Sequence, residues 1–387
     1  MKQKRILILG GDGYLGWPSA MYFSKRGDEV LVIDNFAKRR WELEEGIEPL
    51  VPVPTLHRRI KRWEQVTRKT IHMEIGDLQN HRFVYGVFEN FRPDVIIHYG
   101  EQPSAPYSMQ SRETAVYTQV NNIVGNLNVM FAMRSYCPNA NLIKLGTMGE
   151  YGTPNIDIEE GWLTVNHNGR SDTMLYPKKP HSFYHLSKVH DSHNLEFASR
   201  VWKLTTTDLN QGVVYGIDTD ETRLDPELRT SFHYDDVFGT VLNRFMVQAA
   251  VGIPLTVYGT GGQTRGFLNI RDTIACVALA ADNPGAEGEF RVFNQFTEQF
   301  SVMELAEKVA GAGKRAGLEV RFNHVENPRV EQEEHYYNAK HSKLAELGLK
   351  PHLLSDQALD AMLADVRKNC ERVDKSFFLP RIKWAQK

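Results

Sequence analysis

Cysteine is scarce in this chain, with three residues, Cys137, Cys276 and Cys370, in 387. They are far apart and follow no metal-ligand spacing, which excludes a disulfide framework and predicts free thiols in a reducing compartment. No stretch approaches the ~20 consecutive apolar residues that cross a bilayer, and the start carries no apolar signal core, so the expectation is a cytoplasmic protein without a membrane partner. Charge of one sign is missing too. A formal net charge of -2 gives no field for a polyanion, and nucleic acid is not expected as a partner. Low-complexity tracts and internal repeats are absent. What remains is 41% hydrophobic residues over a length that can bury a sizeable core, the composition of a globular enzyme rather than of a disordered chain.

The N-terminal residues carry the first positive signal. Arg5 to Leu9 reads as a short apolar strand that runs into Gly10-Gly11-Asp12-Gly13-Tyr14-Leu15-Gly16 and then into a helical stretch. Glycines in that place let the backbone approach a pyrophosphate, and the helix N-terminus offers it amide donors and partial positive charge. The spacing fits both G-x-x-G-x-x-G, with Gly10, Gly13 and Gly16, and G-x-G-x-x-G, with Gly11, Gly13 and Gly16. A second apolar strand, Glu29 to Ile33, ends in Asp34, where a carboxylate accepts hydrogen bonds from adenosine ribose hydroxyls. That selects NAD. Arg39 and Arg40 could attract the 2'-phosphate of NADP, but the strand-end carboxylate stands nearer and repels it.

Alternating strand and helix patterns through the first half predict an α/β, Rossmann-type doubly wound parallel sheet. Further strands are expected at Thr70 to Ile75, Asp94 to Tyr99, Asn141 to Leu145 and Leu204 to Leu209, and helices at Asn122 to Tyr136 and after Tyr184. The charged stretch 38–69 reads as a solvated helical insertion, with a lid or partner surface as the alternative. Beyond Gly212 the alternation gives way to Gly, Pro and aromatics. The expected organisation is an NAD-binding domain over 1–212 and a smaller substrate domain over 213–387, with some segments returning to the first.

The chemistry points to Tyr184 and Lys188, which four-residue spacing places on one helix face. A phenol is a poor base at its ordinary pKa near 10, and a cation one turn away stabilises the phenolate. His185, His190 and His193 share this helix, yet no carboxylate or thiol completes a zinc set, so no metal is expected.

Gly10 to Gly16, Asp34, Thr147, Tyr184 and Lys188 together resemble the extended short-chain dehydrogenase/reductases that modify nucleotide sugars, and the resemblance covers nearly the whole chain. Longer strings resemble one branch of it, the UDP-sulfoquinovose synthase family. These are Gly100-Glu101-Gln102, Ser104 to Met109, Lys144 to Gly161, Asp208 to Gly216, Gly261 to Gly266 and Glu333 to His341. The resemblance implies conversion of UDP-glucose and sulfite to UDP-sulfoquinovose, a donor for sulfolipid or glycan, with tightly bound NAD regenerated in each turnover. It also implies a homodimer built on paired helices and leaves room for a sulfite-donating protein. A UDP-sugar 4-epimerase or dehydratase on the same scaffold is the alternative, and a non-catalytic dinucleotide module is disfavoured by the intact Tyr and Lys.

Residue by residue, the resemblance makes Tyr184 the base for the carbon 4 hydroxyl and Thr147 its hydrogen-bonding companion. Lys188 becomes the phenol's activator and a ribose contact. It adds Asn35, Arg39, Asp77, Leu78, Gln119 and Gln211 to the cofactor set. Gln102, Gln211, Thr256, Tyr258, Gln263, Arg265, Arg329 and Glu331 form the substrate set, with Arg265 and Arg329 on the UDP phosphates. Gln211 could instead merely order its loop. Related sugar dehydratases carry Thr-Asp-Glu where this chain has Thr147-Met148-Gly149, and Met and Gly transfer no protons. The carbon 5 base is therefore open between His185 and Glu150. Pro103 stands where plant members have an arginine, which shifts the expected positive charge for sulfite to a protonated His185 or a nearby arginine.

Overall fold

The computed structural model describes residues 3–329 and 335–384. Its centre is a sheet of seven parallel strands. Five are β1 (Arg5–Leu9), β2 (Glu29–Asp34), β3 (His72–Ile75), β4 (Val95–His98) and β5 (Asn141–Thr147), and the others are Thr205–Gln211 and Phe290–Gln295. The spatial order is Phe290–Gln295, Thr205–Gln211, β5, β4, β1, β2, β3. Ile6 and Ile8 of β1 pack with Trp17, Phe23 and Val277 on one face. Leu7 and Leu9 pack with Phe88, Met130 and Leu195 on the other. Burial on both faces is why these strands read as unbroken apolar runs. The chain leaves β1 in one direction for β2 and β3 and returns on the other side as β4, so a crevice opens past the carboxyl ends of β1 and β4, where ligands of such sheets bind.

Helix α1 (Gly16–Arg26) follows the glycine loop and ends at Gly27, whose φ of 101° is left-handed. The segment 38–69 contains α2 (Ala37–Glu45) and α3 (Leu56–Thr67), but it is no solvated excursion. Trp63 and Arg59 are fully buried. Leu50 and Val51 join a separate core formed with Phe232, Phe245, Leu305 and Leu359. Helix Arg112–Tyr136 starts well before the expected Asn122, because Ser111 and Thr114 form a reciprocal cap at its first turn. Helix Phe183–Trp202 is capped by Ser182, whose hydroxyl accepts from the His185 amide at 3.1 Å, so Tyr184 sits in the first turn beside the crevice. No described helix is long and apolar enough to cross a membrane.

Candidate active site

The glycine loop divides its labour unequally. Gly10 has φ 87°, and a Cβ there would come within 2.9 Å of the Gly100 nitrogen. A Cβ on Gly16 would lie 2.0 Å from the Gly10 carbonyl, and one on Gly11 would strike Val32, so these three glycines serve close packing. Gly13 meets only the Gly10 oxygen, at 3.5 Å, which leaves its face open toward the cavity that Gly10, Asp12, Gly13, Tyr14, Leu15 and Gly16 line. Asp34 lines the same cavity at the end of β2, accepting from the Asp12 amide at 2.8 Å and the Phe36 amide at 2.7 Å. Burial and the neighbouring Asp12 raise its carboxyl to about 6. These are the features an adenosine diphosphate needs: an open backbone face for phosphate and a strand-end carboxylate for ribose.

Arg39 is held by Asp12, with Nε on Oδ2 at 2.6 Å, and by the Val53 and Pro54 carbonyls. Arg59 reaches the Asp12 carbonyl at 3.0 Å from the other side and stacks over Trp17 at 4.7 Å. The charged insertion thus grips the glycine loop. Asn35 and Leu78 line the cavity. Asp77 does not; it accepts from the Asn35 amide at 3.0 Å. Gln119 likewise stands outside, donating to the Phe183 carbonyl next to Tyr184.

Thr147, Met148, Gly149, Tyr184 and His185 line one wall of this cavity, whose volume is about 530 Å³. Thr147 ends β5 and accepts from the Gly149 amide at 3.1 Å. The rings of Tyr184 and His185 are 5.1 Å apart. A Cβ on Gly149 would fall 2.3 Å from the His185 Nε2, so the absent side chain is the room that the imidazole occupies. His185 Nδ1 lies 3.0 Å from the Ser182 hydroxyl. Burial, then Arg329 and Arg265, push the imidazole down to about 3. The ring is neutral at physiological pH, which removes the expected protonated His185 and leaves the arginines as the local positive charge. Glu150 does not line the cavity. It is fully buried behind β5, paired with Lys178 and accepting from Ser192 at 2.8 Å, so it cannot reach a sugar carbon.

On the opposite side, Tyr258, Gln263, Arg265 and Arg329 line the cavity. Arg265 donates to the Thr264 carbonyl at 2.8 Å, and the Arg329 guanidinium lies 5.2 Å from the Trp384 ring. Gln211 lines it too, although its amide also reaches Gln295 at 3.2 Å. Gln102 and Thr256 do not. Gln102 turns inward, its backbone amide donating to Asn122 and its side chain meeting Ser104. Thr256 is tied to Gln248 in both directions. Glu331 lies outside the described residues. Among the wall residues that escaped sequence reasoning are Glu101, Arg244 and Trp384. Glu101 sat inside a noted motif beside the wrongly favoured Gln102, whereas Arg244 and Trp384 carried no local signal. Arg244 stacks over Tyr258 at 4.8 Å, and its buried Nε has no hydrogen-bond partner among the described residues. Among those residues no His, Cys, Asp or Glu group could hold a metal ion.

The chain matches the NAD dependent epimerase/dehydratase family over residues 6–294. It is 56% identical over 384 residues to a UDP-sulfoquinovose synthase of Spinacia oleracea named as chloroplastic, covering 99% of this chain and 80% of that protein. Identity is 43% over 385 residues to a UDP-sulfoquinovose synthase of Sulfolobus acidocaldarius, covering 99% and 98%. Among solved structures, the UDP-glucose 4-epimerase of Thermotoga maritima with UDP-glucose superposes with a TM-score of 0.69 at 19% identity, covering 94% of this chain and 99% of that one. At that identity the likeness speaks for the fold, and the family assignment rests on the two synthases and the family match. A Rossmann crevice with the Tyr184 and Lys188 helix, an open glycine loop and near full-length identity to both synthases place this chain in the NAD dependent epimerase/dehydratase family, within its UDP-sulfoquinovose synthase branch.

Proposed function

We propose that the cavity converts UDP-glucose and sulfite to UDP-sulfoquinovose. The observation that carries this reading is the coupling of Gly149 to His185: where a dehydratase has a carboxylate, this chain has a gap filled by a neutral imidazole. NAD, when bound, supplies reversible hydride exchange at carbon 4, so none is consumed. Tyr184 takes the proton of the carbon 4 hydroxyl, and the Thr147 hydroxyl hydrogen-bonds the same oxygen. A ketone at carbon 4 acidifies carbon 5. Neutral His185 removes that proton and delivers it to the carbon 6 hydroxyl, which leaves as water. Sulfite in its monoanionic form then bonds through sulfur to carbon 6, its proton going to carbon 5, and Tyr184 returns its own proton to the carbon 4 oxygen. Arg265, Arg329 and Arg244 hold the diphosphate. Exposed Val116, Val120, Val124, Phe131, Phe183, Phe197 and Val201 on helices Arg112–Tyr136 and Phe183–Trp202 support a homodimer that pairs these helices.

The decisive experiment mixes the protein with UDP-glucose and sulfite and reads the product mass. The sulfonated nucleotide sugar should form without loss of added NAD, and deuterium placed at carbon 4 should remain on the sugar. Equal formation of UDP-galactose with and without sulfite would instead identify an epimerase.

A further inference from the structure

Glu101, just beyond the end of β4, is a buried carboxylate that the chemistry above does not use. Its side chain is 2% exposed, and Oε2 forms an ion pair with the Lys188 ammonium at 2.6 Å. The same ammonium donates to the Leu145 carbonyl at 2.7 Å. Glu101 borders the cavity whereas Lys188 does not, and both carboxylate oxygens are buried, so the ion pair lies just behind the wall beside Tyr184. The Lys188 nitrogen lies 5.7 Å from the Tyr184 ring centre. A cation at that distance stabilises a phenolate only to the extent that no anion cancels it.

The surroundings fix Glu101 as that anion. From β4, His98 places Nε2 3.8 Å from Glu101 Oε1, and burial depresses His98 to about 4, so it is neutral. From β5, Lys144 lies 3.7 Å from Asp191 and donates to the Lys188 carbonyl. Asp191, on the helix of Tyr184 and Lys188, is also held by the Asn126 amide at 3.1 Å. Burial would protonate Glu101, but Lys188 and then Lys144 outweigh it and hold the carboxyl below its ordinary range. Burial raises Tyr184, and Glu101 is the next contributor in the same direction, with Lys144 opposing and buried Glu150 and Asp191 adding to it.

We propose that Glu101 is a positioning residue: as the counter-ion of Lys188 it cancels most of the ammonium's pull on the phenol, making Tyr184 a strong base and a weak acid. In the reaction above, which this inference takes as its setting, Tyr184 then keeps the carbon 4 proton while bonds change at carbons 5 and 6.

The test is an ultraviolet tyrosinate titration of the protein as isolated, without sugar or sulfite. Each form is compared with its Tyr184→Phe counterpart so that the difference reports Tyr184 alone. Glu101→Gln, which keeps shape and removes charge, should move the Tyr184 transition down by about one pH unit or more, the usual effect of one charge at this range. The acidic limb of kcat/KM should move by a like amount in the same direction, with KM for UDP-glucose unchanged. Glu101→Asp, which draws the carboxylate back from Lys188, should shift the same way by less, and it carries the test if the Gln protein does not fold. Coincident titrations of wild type and a folded variant would overturn the proposal. Because no sugar is present, that failure leaves the sulfonation reading untouched, and absence of sulfonated product with a shifted titration would count against the reaction instead.

Discussion

At the scale of single residues, Tyr184 is the group on which turnover depends. Tyr184→Phe conserves ring volume and deletes the proton acceptor, so kcat should fall by about two to four orders of magnitude while UDP-glucose still binds; calorimetry beside a turnover assay separates the two, and a change confined to KM would refute the role. Asp34 gives a pH-dependent prediction. Its carboxyl is raised in the folded protein, from 3.8 to about 6, so the protonated form is favoured below that value. Above it, the ionised carboxylate accepts ribose hydroxyls and repels a 2'-phosphate; below it, both effects fade. The ratio of NAD to NADP affinity should therefore drop as pH falls through about 6. A ratio flat across that window would show that Asp34 does not discriminate. Stability runs the opposite way: a carboxyl whose pKa is raised from 3.8 to about 6 on folding stabilises the nucleotide-free protein at low pH, and that contribution is lost as pH rises through about 6.

Single elements show how function is built from space left vacant. The turn after β5 puts Met148 and Gly149 under helix Phe183–Trp202, and the His185 Nε2 fills the volume a side chain at 149 would need. Restoring the dehydratase-like residue with Gly149→Glu should expel His185 and abolish sulfonation, and adding His185→Ala should not restore it. Sulfonation by the single variant at the wild-type rate would remove His185 from the chemistry. The insertion acts through Arg59, a guanidinium with 0% exposure bonded to the Asp12 backbone. Arg59→Met leaves the Asp12 carboxylate to Arg39 alone, so stability should fall by about 3 kcal/mol, as for other broken buried pairs, and retained NAD should leave faster. Chemical denaturation and the nucleotide recovered after gel filtration measure both.

The whole molecule adds two constraints. The glycine loop is roofed by distant chain: the Tyr14 hydroxyl donates to the Gly216 carbonyl at 2.5 Å, and Trp17 Nε1 donates to the Leu228 carbonyl at 2.9 Å. The Thr230 hydroxyl donates to the Tyr14 carbonyl at 2.8 Å, and Arg381 pairs with Asp236 at 2.9 Å over the same mouth. A nucleotide held beneath these contacts should exchange slowly, as a cofactor used in both directions within one turnover requires. Apolar side chains left exposed on the two long helices need covering. Light scattering at micromolar concentration should give about twice the 44.3 kDa chain mass. Val120→Glu with Phe197→Glu should halve it; a wild-type monomer would leave those faces without a partner.

The sequence by itself determined whatever local pattern encodes: the parallel sheet, from apolar runs buried on both faces; the nucleotide loop, from glycines that either pack closely, as Gly10, Gly11 and Gly16 do, or leave an open face, as Gly13 does; and the Tyr184 and Lys188 pair, from helical spacing. Long motif strings likewise carried the family. Tertiary structure decided which member of a motif faces the ligand. Gln102 turns away from the cavity, its amide and side chain consumed by Asn122 and Ser104, while Glu101 borders the cavity with its carboxylate buried on Lys188. It also tied Arg39, expected among the cofactor contacts, to Asp12, and turned Glu150 from a candidate base into the buried partner of Lys178. It made His185 neutral through burial beside two arginines, and it carried Arg244 and Trp384 to the cavity from distant parts of the chain. Each of these depends on which groups meet across long sequence separations, where burial and charge are set by neighbours that no local spacing contains.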